Sequence, residues 1–153
     1  MEDEQRALID DVLNNQEFDD DVLLRVERLG DTAFDEIRRR LMSRSLSPLQ
    51  QVLALRSFAR LTRQACAMRK EEVLELAVER LKSDDPFVRS GAVNTAIWIS
   101  IMLRDNPNLA SKAENRPGAN PSLKERIKAA VGHAVQLGVD EEQAEFAGEY
   151  LAH

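Results

Sequence analysis

The sequence predicts an all-α fold assembled from helical hairpins, and three observations indicate it. Apolar residues recur at spacings of three and four positions along most of the chain, as in helices with one buried face. Aromatic residues make up only 5% of the 153 residues, fewer than a β-sandwich or barrel normally uses. A helix start that contains proline occurs twice in similar surroundings, which indicates an internal repeat. We therefore expect a single helical-repeat domain over residues 1–153.

The first part of the chain, residues 1–29, is predicted to form two short helices and a weak first repeat. An apolar face covers Ala7–Leu13, and Asn14 interrupts the pattern. The acidic run Asp19–Asp21 suits the positive end of the second helix, because the helix dipole favours carboxylates there. Gly30 is a typical residue at which such a helix stops.

Two stronger hairpins are expected over residues 33–68 and 70–103. In each, the second helix begins with a capping side chain followed by proline at the first helical position, at Ser47–Pro48 and Asp85–Pro86. We expect the helix after Ser47 to continue to about Met68. The helix after Asp85 is apolar almost all round and is therefore expected to be buried on two sides.

Residues 104–121 interrupt this pattern. They contain three prolines, one glycine and four asparagines, which predicts a long loop. A loop of this length in a compact domain is commonly functional or disordered. A last hairpin is expected over 122–151, with Asn120–Pro121 as the start of its first helix, Gly138 as its end, and Asp140 as the start of the second helix.

The internal repeat places the helix after Pro48 over the helix after Pro86 with a shift of 38 residues. The matched apolar pairs are Leu49 and Phe87, Ala54 and Ala92, Leu55 and Val93, and Leu61 and Ile99. A single helical hairpin cannot bury its own apolar face, so neighbouring hairpins have to stack to form a continuous core.

The segment Asp85–Ala92 reads Asp-Pro-Phe-Val-Arg-Ser-Gly-Ala. Its Asp-Pro, its Val-Arg and the small residue after them resemble the opening of the second helix of a HEAT repeat. The resemblance implies a right-handed α-solenoid of three to four HEAT-like hairpins. It also implies that Asp85 and Arg89 help to tie successive repeats together. The hairpin that contains Ser47 keeps the proline but has Gln51 in place of the arginine.

Residues that could carry catalysis or hold a metal are sparse. The chain has one cysteine, Cys66, and two histidines, His133 and His153, too few for a zinc site and in no context for nucleophilic catalysis. The run Asp19–Asp21 could hold a cation, but it lacks the spaced ligands and the glycine of a calcium loop, so a helix cap is favoured. No glycine-rich phosphate loop or nucleophile elbow occurs. We expect a non-enzymatic protein without metal or cofactor, with Cys66 buried and His133 on a helix surface.

The composition also indicates the cellular compartment in which the protein is expected. A lone thiol suits a reducing cytoplasm, and the acidic start lacks the positive region of a secretory signal. The longest apolar run, Ala96–Leu103, is much shorter than the roughly 20 residues of a membrane span. We therefore expect a cytoplasmic protein without a membrane partner, as a monomer or a homodimer. The net charge of −6 and the pI of about 5.0 disfavour nucleic acid as a general partner.

Charge changes sign along the chain in three blocks: the net charge is −8 over residues 1–21, +7 over 22–70 and −5 over 71–153. In the basic block, Arg56, Arg60 and Arg63 have the spacing of one helix face. Arginine forms bidentate contacts with carboxylate or phosphate, so these residues could dock an acidic partner. The alternative is a solvated face, or one that pairs with the acidic N-terminal helix of the same chain.

The 38-residue shift relates the arginines to a second candidate set, because Arg56 matches Asn94 and Arg60 matches Trp98. If both helices line the inner face of a curved stack, these four side chains form one patch, and Trp and Arg are typical interface anchors. Armadillo proteins, relatives of HEAT proteins, bind peptides with Trp and Asn four residues apart, but the order here is reversed. The alternative for Trp98 is a place in the core.

The predicted function is the binding of one dedicated partner protein. A bacterial immunity protein that neutralises a toxin domain is one hypothesis, based on the size, the acidity and the lack of catalytic motifs. The alternative is a HEAT-like nucleic-acid-binding or base-repair protein that uses the arginine-rich block. The predicted partner-binding residues are Arg56, Arg60, Arg63, Arg89, Asn94 and Trp98.

Overall fold

The computed structural model describes residues 1–14, 20–105 and 122–152, and within these ranges it contains helices and no β-strand. This confirms the all-α prediction. The helices are α1 (Asp3–Asn14), α2 (Asp20–Leu29), α3 (Asp31–Met42), α4 (Pro48–Leu61), α5 (Lys70–Leu81), α6 (Pro86–Asp105), α7 (Leu123–Leu137) and α8 (Glu141–Leu151), with a 3₁₀ turn at Ala67–Arg69. The chain divides into two compact units, Met1–Ala67 and Met68–His153.

The two helix starts that contain proline are capped as the sequence predicts. At α4, the Ser47 hydroxyl accepts a hydrogen bond from the Gln50 backbone N–H at 3.2 Å, and the Gln50 side chain accepts one from the Ser47 N–H at 3.0 Å. At α6, the Asp85 carboxylate accepts hydrogen bonds from the N–H groups of Phe87 and Val88. These caps satisfy N–H groups that have no partner within the helix.

The prediction that α4 continues to about Met68 is wrong, because the helix ends at Leu61. The Thr62 hydroxyl donates to the Phe58 carbonyl oxygen at 2.8 Å, and the Cys66 N–H donates to the Leu61 carbonyl oxygen at 2.9 Å. The chain therefore bends, and the bend buries Cys66. The thiol is buried as predicted, but in a turn and not in a helix.

The predicted loop 104–121 is only partly covered by the described residues. Arg104 and Asp105 belong to α6, so this end of the prediction is wrong, and residues 106–121 lie outside the described residues, including the predicted helix start at Asn120–Pro121. The described cap of α7 is Ser122, whose hydroxyl accepts from the Glu125 N–H at 3.2 Å.

In the first unit, each of the helices α1–α4 packs against the other three. The centre is aromatic, with the rings of Phe34 and Phe58 at a centroid distance of 4.8 Å. Ile9 and Ile37 are fully buried beside the common core. At its edge, Arg40 of α3 forms an ion pair with Asp10 of α1. The four helices thus share one core.

In the second unit, the hairpins α5–α6 and α7–α8 pack side by side, with α5 next to α7 and α6 next to α8. Helices α6 and α8 run parallel. The Asp140 N–H, just before α8, donates to the Ser90 hydroxyl at 2.9 Å, and the aromatic pair of Trp98 and Phe146 follows farther along both helices. Val93 and Ile97 of α6 are fully buried, as expected for this apolar helix. The continuous right-handed solenoid of HEAT-like hairpins stays a prediction.

Arg89 joins the two hairpins of the second unit. Its guanidinium donates to the carbonyl oxygens of Ser83, Leu137 and Gly138 at 2.8, 3.2 and 2.9 Å. Ser83 lies in the turn before α6, and Gly138 lies in the turn before α8. The side chain therefore connects successive hairpins, which is the role that the HEAT resemblance implies for it, whereas Asp85 caps its own helix.

Candidate protein-binding surface

The six predicted partner-binding residues are divided between the two units. Arg56, Arg60 and Arg63 belong to the first unit, and Arg89, Asn94 and Trp98 belong to the second. The single patch that the repeat register predicts from both sets stays a prediction.

The arginine set does not form one helix face. Arg56 and Arg60 lie on α4, but Arg63 follows the end of the helix, because α4 stops at Leu61. The guanidinium of Arg60 forms an ion pair with Glu27 of α2, and their side chains are 33% and 22% exposed. For Arg60 the structure thus shows a partner within the unit.

Arg89 is only 7% exposed, and its guanidinium donates hydrogen bonds to three backbone carbonyls of its own unit. A partner could reach this guanidinium only by displacing those hydrogen bonds. The structure therefore places Arg89 in the framework of the second unit and not on its surface.

Trp98 lies at the surface of the second unit. Its side chain is 50% exposed, so the alternative that it belongs to the core is wrong. The indole packs against Phe146 of α8 with a centroid distance of 5.6 Å and an interplanar angle of 48°. One turn earlier on α6, the Asn94 amide donates to the Gln143 side-chain oxygen at 3.4 Å. We call these four residues, Asn94, Trp98, Gln143 and Phe146, the α6–α8 surface.

The position of Trp98 follows from the packing of α6. Neighbouring residues on the helix, Ala96, Ile97 and Ile99, are fully buried in the unit. Asn94 and Trp98 are four residues apart and share the remaining side of the helix. Because two packed helices hold the aromatic pair, little conformational freedom remains for a partner to restrict.

A row of carboxylates borders this surface on α8. Helix α8 contains four glutamates and no basic residue. Glu142 and Glu149 precede and follow Phe146 by four and three residues, which places them beside it on the helix surface. Together with Glu145 they are exposed, and we call these three residues the α8 carboxylate row. In the part of the chain that the structure describes, none of the three forms an ion pair or a side-chain hydrogen bond.

The sequence reasoning did not identify Phe146 and Gln143 as surface residues. The helical spacing of Ala144, Ala147 and Leu151 predicts that these three residues lie on the inward side of α8, but only Ala147 is fully buried, and Leu151 is 38% exposed at the end of the helix. The sequence does contain an indication that Phe146 lies at the surface, because this aromatic residue is away from the predicted inward side of the helix and stands between glutamates. Its contact with Trp98 joins residues far apart in the sequence, which periodicity does not reveal.

The groups considered for catalysis belong to different units. Cys66 is buried in the first unit, and His133 is exposed on α7 in the second. Among the described residues, no cluster of three or more His, Cys, Asp or Glu side chains is arranged to hold a metal ion. No described helix is long and apolar enough to cross a membrane.

Shifted pKa values occur away from the α6–α8 surface. The hydrogen bond from Arg39 is the main cause that lowers the pKa of Glu36 to about 2; burial opposes it, and the hydrogen bond from Arg40 lowers the pKa further. Burial lowers the pKa of Lys70, which begins α5. The hydrogen bonds that Arg126 of α7 donates to the Glu75 carboxylate raise the pKa of Arg126. None of these groups belongs to the α6–α8 surface.

Comparisons of the chain with protein-family models, with curated proteins and with solved structures gave no match.

Proposed function

We propose that the chain is a protein-binding protein and that its partner docks on the α6–α8 surface. The observation that carries the proposal is Trp98, a large aromatic side chain that stays half exposed while its helix neighbours are buried. Tryptophan is among the residues that most often dominate the binding energy of protein interfaces. Covering such a ring and its neighbour Phe146 removes a large apolar area from water.

The polar residues beside the aromatic pair fit the same function. Asn94 and Gln143 are half-buried, and their mutual hydrogen bond is long at 3.4 Å. Each amide also has further donor and acceptor capacity. Protein interfaces commonly combine an apolar centre with a polar rim of such groups, so the two amides could orient a partner around the ring of Trp98.

The proposal includes a single dedicated partner, because the α6–α8 surface is small. The narrower hypothesis of an immunity protein that neutralises a toxin domain is supported only by the size and acidity of the chain. Recovery of a stoichiometric toxin-like protein from the native host would support it, and recovery of an unrelated partner would refute it.

The test is a pull-down from the native host with the full chain, in which wild type is compared with Trp98→Ala. A matched control is Phe87→Ala, because Phe87 lies on the same helix and is 49% exposed, close to the 50% of Trp98. Circular dichroism checks that all three proteins are folded. We expect one stoichiometric partner with wild type and Phe87→Ala, and its loss with Trp98→Ala. Retention by Trp98→Ala, or no stoichiometric partner at all, would overturn the proposal.

A further inference from the structure

We infer that the α6–α8 surface takes a basic segment of its partner, with an arginine stacked on Trp98 and paired with the α8 carboxylate row. This inference rests on the proposed function and adds the chemistry of the partner to it. Three features of the second unit support it: the position of the carboxylates, their effect on the stability of α8, and the partly exposed Trp98 beside them.

The carboxylates border the aromatic pair, and among the described residues none of them has an ion-pair partner. Glu142 and Glu149 lie on either side of Phe146 along α8, and Phe146 packs on Trp98. No basic residue occurs in α8, and within the described residues none of the three carboxylates of the row is in an ion pair. A positively charged group that covers the aromatic pair would therefore lie next to the α8 carboxylate row. Such charge complementarity is typical of protein interfaces.

Local stability does not explain this row. Glu141 and Glu142 lie in the first turn of α8, where the helix dipole favours carboxylates. Glu149 lies near the other end, where the dipole disfavours them. Glu145 stands four residues from both Glu141 and Glu149, a spacing at which like charges repel on a helix. The later two glutamates thus oppose helix formation, and an external cation would relieve the repulsion.

Arginine is the cation that can bind both to the ring of Trp98 and to the α8 carboxylate row. Its guanidinium is planar, stacks on aromatic rings, and donates in parallel to a carboxylate. Tryptophan is the best ring for such a cation–π contact, and half of Trp98 is open to solvent. A lysine ammonium would satisfy the carboxylates but is more strongly hydrated and cannot stack.

A second copy of this chain is a less suitable occupant, although the block 22–70 is rich in arginine. Such a contact would join two different surfaces of the same protein. Head-to-tail contacts of that kind close into rings only at particular angles and otherwise give open filaments. Sedimentation of the free protein tests this directly, because self-association through Trp98 would give oligomers that Trp98→Ala abolishes.

The test uses the fluorescence of Trp98, the single tryptophan of the chain, so the signal reports the site itself. The full-length protein is titrated with three synthetic helical peptides that are identical except for arginine, lysine or glutamine at the charged positions. We expect the arginine peptide to change the emission and to bind several-fold more tightly than the lysine peptide, because only arginine stacks. The glutamine peptide should bind at least roughly tenfold more weakly than the arginine peptide.

A matched pair of variants distinguishes the effect of the α8 carboxylate row on peptide binding from the effect of the overall negative charge of the protein. Glu142→Gln/Glu145→Gln/Glu149→Gln removes the row, and the control removes three exposed acids in and just before α1 with the same change in net charge: Glu2→Gln/Glu4→Gln/Asp11→Asn. We expect roughly tenfold weaker binding of the arginine peptide to the row variant and a change within about twofold for the control. The melting temperature of the row variant should stay equal or rise, because repulsion within α8 is removed.

Any one of three results would overturn the inference. They are an equal loss of peptide affinity in the row variant and its control, equal affinity for the arginine and lysine peptides, and oligomers that depend on Trp98. The native partner distinguishes this failure from that of the proposed function. If that partner is lost from Trp98→Ala but retained by the row variant, the proposed function stands and the inference is wrong. If Trp98→Ala retains the partner, the proposed function itself is wrong.

Discussion

The helices α4 and α6 occupy matching places in the internal repeat, but they carry different chemistry on their surfaces. Ala54 and Ala92, which match in the repeat, are both fully buried in their own units. The matching surface residues are Arg60 and Trp98. Arg60 is paired with a glutamate of its own unit, whereas Trp98 keeps half of its ring exposed. The repeat thus preserves these buried positions, and function is best sought where the fold leaves a large side chain incompletely covered.

A second pair of matching residues differs in its structural role. Arg89 of α6 donates to three backbone carbonyls and joins two hairpins, whereas its counterpart Gln51 of α4 donates to the Leu46 carbonyl at 3.2 Å, just before its own helix. The first unit is held by a core that all four of its helices share, and the second unit depends on contacts between two hairpins. The comparison therefore predicts unequal effects of matched substitutions.

The largest expected effect on stability is that of Arg89→Gln. The shorter side chain cannot reach all three carbonyls, so partly buried acceptors lose their partners. We expect a decrease of about 3 kcal/mol in the free energy of unfolding, whereas Gln51→Ala should cost no more than about 1 kcal/mol. Urea denaturation of the two variants beside wild type measures both values. Equal losses would mean that Arg89 does not hold the second unit together.

Two turns give the next prediction, because both contain a residue with positive φ. Gly138, before α8, has φ of 115°, and Arg44, between α3 and α4, has φ of 60°. Only glycine adopts such backbone conformations without strain. We expect Gly138→Ala to destabilise the protein by about 2 kcal/mol and Arg44→Gly to stabilise it by up to about 1 kcal/mol.

Thermal unfolding followed by circular dichroism measures both changes. A conservative control in the same turn, Arg44→Lys, keeps a side chain with a Cβ atom and should leave the melting temperature unchanged. A lower melting temperature for Arg44→Gly would contradict the assignment of strain to Arg44.

The smallest effect concerns the acid stability that Glu36 confers on the first unit. Its pKa is about 2 in the folded protein and 4.5 as the ordinary value, so the ionised carboxylate stabilises the fold above about pH 4.5. This contribution is lost as the pH falls from 4.5 towards 2. Because the side chain of its partner Arg39 is largely exposed, we expect Glu36→Gln to cost only about 1 kcal/mol at pH 7.

Urea denaturation at pH 7 and again near pH 2 tests the sign of this contribution. The difference between Glu36→Gln and wild type should disappear at the lower pH, where the carboxylate of the wild type becomes protonated. A difference that persists unchanged at pH 2 would show that Glu36 acts through packing and not through charge.

The sequence predicted those parts of the fold that depend on local signals. Ser47, Asp85 and Asp140 each cap a helix in the structure because a short polar side chain reaches N–H groups two to three residues ahead. The end of α4 was missed, because residues 62–66 contain neither glycine nor proline, and the turn depends on a hydrogen bond from Cys66 to Leu61.

The candidate site was predicted only in part, for the same reason. Trp98 and Asn94 were identified from the repeat register, but α6 is apolar on several sides. Periodicity cannot tell which side of such a helix stays open, since the packing of α5, α7 and α8 around it decides this. Arg89 was predicted both to join repeats and to bind a partner, and its burial leaves only the first role.

The most direct test of the α6–α8 surface is a calorimetric titration of the captured partner into wild type, Trp98→Ala and Arg60→Ala. The surface proposed for Trp98 predicts at least roughly thirtyfold weaker binding for Trp98→Ala in a protein that remains folded at the temperature of the titration. Arg60→Ala, at the matching position of the repeat, should bind within about twofold of wild type, because the interaction of Arg60 lies within its own unit. Full affinity in Trp98→Ala, or an equal loss in Arg60→Ala, would contradict the assignment of partner binding to the α6–α8 surface.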